Sequence, residues 1–119
     1  MRSENGELMK RTKAFALDIV RFVEALPSGK TADVMGRQLL RSATSVGANY
    51  RAACRARSKA DFVNKLGLVE EEADESRYWL ELLTETAVVQ PSLTNTLSTE
   101  ADEITAMVVA SIKSTRRGM

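Results

Sequence analysis

The chain has 119 residues, 44% of them hydrophobic and 28% charged, and its 17 Lys or Arg nearly balance its 16 Asp or Glu to a net +1. That is long enough to bury a core without disulfides, too apolar for disorder, and lacks the large positive excess of a dedicated polyanion binder. It contains no histidine and a single cysteine, which removes Ser-His and Cys-His nucleophile pairs and the commonest general base.

The balance conceals a polarity along the chain. Residues 30–59 hold seven Lys or Arg against one Asp, and residues 60–90 hold eight Asp or Glu against two Lys or Arg. The two blocks cancel, and antiparallel segments carrying them would attract each other. No apolar run approaches the ~18 residues that a membrane span needs. The opening MRSENGELMKRTK has no apolar stretch fit for a signal peptide, so a cytoplasmic protein is expected.

In chain order, Leu8, Thr12, Phe15, Ile19, Phe22 and Leu26 alternate steps of four and three, predicting a helix over residues 8–26 that Pro27-Ser28-Gly29 ends. A second helix over 32–57 follows, with Thr31 as N-cap. Leu39, Ala43, Val46, Tyr50, Ala53 and Cys54 keep to one side of it, which places the cysteine in the core. Ser58 with Asp61 resembles a capping box and opens a third helix over 60–87. There Phe62, Leu66, Val69, Ala73, Ser76, Leu80, Leu83 and Ala87 form the longest heptad run of the chain. Gln90-Pro91-Ser92 breaks that run, and a fourth helix over 97–114 carries Leu97, Ala101, Ile104, Val108 and Ile112. Its acidic start and its basic end, Lys113, Arg116 and Arg117, suit the helix dipole. Gly47 and Gly67 lie inside helices at ~1 kcal/mol each relative to alanine, and close helix approach is the expected reason.

Four amphipathic helices with short joints predict one all-α domain, an antiparallel up-down-up-down four-helix bundle. The joint at Ser58 is so short that the second and third helices must run antiparallel. Arg41 then comes level with Glu72 and Glu75.

Two surfaces carry the functional reading. Arg37, Arg41, Arg51 and Arg55 fall within about 80° of arc on the second helix, a basic stripe suited to phosphate. The same arginines also have acidic neighbours to pair with, so a solvated, internally neutralised face is the other reading. On the third helix Leu68, Trp79 and Leu82 lie outside the heptad stripe and widen the apolar arc to about 200°, twice what a surface helix needs. Beside the core stripe of the second helix, Ser42, Ser45 and Asn49 form a small polar strip. A second apolar flank and a small-residue strip together suggest subunit contacts. The acidic face of Glu70, Glu71, Asp74, Glu81 and Glu85 lacks the Glu-x-x-His motif of di-iron bundles, so no metal or other cofactor is expected. No Gly-rich phosphate loop is present. The chain reads as a non-enzyme with no catalytic residues.

The strip Arg41-Ser42-x-x-Ser45-x-x-x-Asn49, the Arg57-Ser58-x-x-Asp61-Phe62 joint, Leu66, Glu75 and Leu80 resemble the family of 23S rRNA intervening-sequence proteins. The resemblance implies a small bacterial four-helix bundle, a pentameric ring and no enzymatic activity. It implies structural roles for Arg41, Ser42, Ser45, Asn49, Asp61, Phe62 and Glu75. The family is similar to the accessory variability determinant of diversity-generating retroelements, a basic pentamer that binds nucleic acid and works with a reverse transcriptase. Partners expected on that basis are further copies of the chain, RNA or DNA, and a nucleic-acid-processing protein. Many members carry Asn-x-x-Glu-Gly after the serine strip, where this chain has Asn49-Tyr50-Arg51-Ala52-Ala53. The expected function is therefore a nucleic-acid-associated accessory protein, with a protein-interaction scaffold as the alternative.

Overall fold

The computed structural model describes the backbone of residues 2–119 and the side chains of residues 6–119. It holds four helices: α1 (Arg2–Glu24), α2 (Lys30–Ala53), α3 (Lys59–Glu85) and α4 (Pro91–Arg117). Among the described residues there is no strand.

Most helix boundaries differ from the sequence expectation by a few residues. α1 continues back to Arg2 beyond its first core residue, because polar residues extend a helix without leaving an apolar signal. α2 begins two residues early. Gly29, at φ 153°, stands at its N-cap with no side-chain cap, and Thr31 lies inside the helix. It also ends early, at Ala53, so Arg55 and Arg57 sit in the joint and not on the helix. The Ser58 cap is as expected, its hydroxyl accepting the Asp61 N–H at 3.0 Å. α3 stops at Glu85 in a Schellman closure. Val88 N–H reaches the Leu83 carbonyl at 3.0 Å, Ala87 N–H reaches that of Thr84 at 3.0 Å, and Ala87 takes φ 61°. Ala87 therefore turns the chain and does not extend the heptad stripe. Pro91 occupies the first turn of α4, where a missing N–H costs nothing, so α4 starts six residues before the expected 97.

The helices lie side by side in chain order, each antiparallel to the last. Gly36 faces Val23 and Leu26 across α1–α2, Ser42 meets Ser76 across α2–α3, and Thr84 meets Thr94 across α3–α4. α2–α3 is the broadest seam and α1–α4 the narrowest. The body measures 48 × 21 × 19 Å.

The core is the predicted stripe with few exchanges. Leu8, Phe15, Ile19, Leu39, Val46, Tyr50, Leu66, Leu80, Leu83, Ile104 and Val108 are all but inaccessible. Val63 takes the buried place expected of Phe62, which is half-buried. Cys54 is exposed, a correction to its core assignment: it caps α2, where the helical period stops. Gly47 has the close approach expected of it, with the Thr12 carbonyl 3.4 Å from where a Cβ would stand. Gly67 does not; no atom of another helix lies within 4 Å of its Cβ position.

Candidate nucleic-acid interface

The stripe of α2 is broken in two by α3. Arg41 is held by Glu75 and, at 3.4 Å, by Glu72, the pairing that antiparallel packing about Ser58 dictates. Glu75 is held in turn, accepting the Trp79 indole N–H at 3.1 Å. Opposite charges of the basic and acidic blocks thus meet at the seam, and Arg41 is spent on it.

Arg37, Arg51 and Arg55 are different. All three are exposed, and none has an ionic partner among the described residues. Arg37 stands beside a cavity of about 340 Å³ at the α1–α2 turn, which it lines with Leu26 and Asp33. Arg51 lies about four turns further along α2, on the α1–α2 groove, and lines a cavity of about 330 Å³ with Lys13, Thr44 and Gly47. Lys13 is a cation the sequence reading missed. No sequence signal marked it, because it depends on how α1 packs on α2: Gly47 lies on the Thr12 backbone and so sets Lys13 beside Arg51. Arg55 sits beyond the end of α2. The four arginines therefore do not make one continuous helical track; they make two clusters separated by a neutralised Arg41.

The expected subunit contacts also divide. Ser42 is completely buried within the bundle, its hydroxyl 3.0 Å from that of Ser76 and 3.1 Å from the Leu39 carbonyl. This corrects its assignment to a subunit interface: a small residue is needed there because α2 and α3 approach closely. Ser45 and Asn49 are half-buried, and the Asn49 amide donates to the Ser45 carbonyl at 2.9 Å. Leu68 is 46% exposed and Tyr78 is 51% exposed. Trp79 and Leu82 are half-buried, with Trp79 packed on the core and edge-on to Tyr78 at 5.1 Å between ring centroids.

Elsewhere, ion pairs serve the fold. Arg11 forks onto both carboxylate oxygens of Glu100 at 3.0 and 2.7 Å and reaches Glu103 at 2.6 Å, tying α1 to α4. Hydrogen bonds to Glu100, then to Glu103, hold the Arg11 guanidinium well above its ordinary value, so it is charged at every accessible pH. Asp61 lies below the ordinary carboxylate value, chiefly because Lys65 donates to it at 2.8 Å. Among the described residues no three His, Cys, Asp or Glu side chains are gathered as a metal site would require. No helix among them is long and apolar enough to cross a membrane.

The family model described as 23S rRNA-intervening sequence protein matches residues 4–110. Among solved structures, the chain is similar to a protein of unknown function from the S23 ribosomal protein family of Bacteroides thetaiotaomicron. The two are 36% identical, with a TM-score of 0.87 over 92% of this chain and 98% of that one. No curated protein matches the chain.

Proposed function

The chain belongs to the 23S rRNA-intervening sequence protein family, and from that premise we propose that it is a non-enzymatic accessory protein that binds the RNA or DNA backbone as a cytoplasmic homo-oligomer. The observation that carries this reading is the state of the arginines on and just beyond α2. Arg37, Arg51 and Arg55 stand exposed with no ionic partner among the described residues, while Arg41 alone is neutralised. Unpaired arginines present planar forks that match phosphate oxygens, and they supply affinity without reading sequence. Lys13 extends the Arg51 cluster across the groove onto α1.

Self-association is supported by the exposed Leu68 and Tyr78 on α3, which the monomer leaves uncovered. A ring, with five copies favoured by the resemblance, would also multiply weak phosphate contacts through effective concentration. The test is fluorescence anisotropy with 20-base-pair RNA and DNA duplexes at ~50 mM salt, where electrostatic affinity is strongest. Wild type is expected to bind, and R37Q/R51Q/R55Q to bind at least tenfold more weakly. Equal binding by the triple variant would remove these residues from the role.

The Arg41–Glu72–Glu75 pairing favours a second reading, a protein-interaction scaffold whose arginines serve the fold. Recovery of one protein partner after nuclease treatment, with no duplex binding, would select it.

A further inference from the structure

A second concentration of cations without ionic partners among the described residues lies beyond the stripe, at one end of the bundle. Because α2 stops at Ala53, Arg55 and Arg57 fall in the joint that follows, and Lys59 opens α3 beside them. Because α4 runs antiparallel to α3, its last turns bring Lys113, Arg116 and Arg117 to the same end. The two segments meet: Lys59 Nζ donates to the Gly118 carbonyl at 3.0 Å. Between them lies a cavity of about 520 Å³, lined by Arg57, Ser58, Lys59, Phe62 and Ser114 among others.

Six cations thus gather toward this end of the bundle, whose short dimensions are 21 and 19 Å, with Lys113 and Arg116 on its α3–α4 side. Neither segment contains an acidic side chain. Among the described residues none of the six forms an ion pair, although Arg57 lies near enough to Asp61 for its charge to help lower that carboxyl. Asp61 is engaged by Lys65, and Glu70 and Glu71 border the α3–α4 groove with Lys113 and Arg116 without forming an ion pair. A like-charged cluster of this kind opposes folding through self-repulsion, and a polyanion relieves it.

We infer that this end of the bundle is a phosphate-backbone docking surface, formed jointly by the α2–α3 joint and the C-terminus of α4. The inference rests on the proposed nucleic-acid role and relocates its main contact from the flank of α2 to the bundle end. Its chemistry favours phosphate over an acidic polypeptide. Four of the six cations are arginines, suited to bidentate phosphate contacts. The apolar anchors that centre a protein interface are sparse, with only Met119 prominently exposed there. A face about 20 Å across is wide enough to meet several phosphates of a duplex backbone.

The experiment is the salt dependence of duplex binding for wild type, the end variant R57Q/K113Q/R116Q/R117Q and the stripe variant R37Q/R51Q. With about six contacts, raising salt from 50 to 200 mM weakens wild type roughly 10³-fold. With about two contacts left, the end variant weakens roughly tenfold. The stripe variant should keep most of the wild-type slope. If the end variant keeps the wild-type slope and the stripe variant loses it, the inference is overturned and the α2 reading stands. If wild type does not bind at all, both fall. Polyglutamate competing as well as duplex, charge for charge, would point to an acidic protein and also overturn it. Amine acetylation of wild-type protein gives a readout that needs no variant: bound duplex should protect Lys59 and Lys113 but not Lys30, and equal labelling with and without duplex contradicts the site.

Discussion

Replacing Arg11 with glutamine should loosen the bundle along one specific seam. α1 and α4 share the narrowest contact of the fold, and Arg11 supplies its polar clasp through two bonds to Glu100 and one to Glu103. The side chains of Arg11 and Glu100 are 26% and 29% exposed, so the fork is screened less than a surface pair, whereas Glu103 at 56% contributes little. Charge-assisted hydrogen bonds are worth ~1.5–3 kcal/mol when shielded, and surface pairs at most ~1 kcal/mol. Between these limits the Arg11–Glu100 fork contributes ~1–2 kcal/mol. Its loss also leaves Glu100 and Glu103 as unopposed like charges one turn apart, adding ~0.2–0.5 kcal/mol. For a chain of this size the total lowers Tm by roughly 5–10 °C. Thermal unfolding by circular dichroism gives the shift, and a double-mutant cycle with Glu100→Gln should return a coupling of about 1 kcal/mol or more. Amide exchange should rise first in α1. A Tm within about 1 °C of wild type, or strictly additive single variants, would refute the clasp.

Three further outcomes follow from local geometry. Ala87→Gly should raise stability by ~0.5–1 kcal/mol, since Ala87 closes α3 at φ 61°, where glycine has no steric penalty; lower stability would contradict the Schellman assignment. Ser42→Leu should cost ~2–3 kcal/mol of monomer stability by wedging α2 from α3, independent of protein concentration; unchanged stability with altered assembly would return Ser42 to a subunit contact. The Asp61 carboxyl should titrate below its ordinary 3.8, with Lys65 the main cause. A folded-state value below the unfolded one means that the contribution is complete above about pH 4 and fades as pH falls through the lower folded value. An NMR titration placing Asp61 at or above 3.8 would contradict this.

The helical period made the core legible. Leu66, Val69, Ala73, Ser76, Leu80 and Leu83 occupy the buried face that their spacing dictates. The Arg41 pairing was legible as well, because a one-turn joint at Ser58 fixes the register of α2 against α3. Helix ends were not. Pro91 reads equally as a stop for α3 and a start for α4, and the structure uses it as a start. That ambiguity at boundaries is what obscured the cations of the bundle end. Arg55 looked like the end of a stripe only while α2 was taken to run to residue 57, and ending the helix at Ala53 turns it, with Arg57, onto the bundle end. The basic tail of α4 suited its own dipole, and only antiparallel packing sets it beside the joint. Cys54 misled for the same reason, its core phase expiring one residue too soon.

The measurement that bears most directly on the proposed function is a salt titration of wild-type, nuclease-treated protein against short RNA and DNA duplexes. Backbone binding through three to six of these cations predicts that log Kd rises with log salt at a slope of roughly 3 to 5, little affected by sequence. Absence of binding at ~50 mM salt would mean that the arginines serve the fold alone, and the scaffold reading would replace this one.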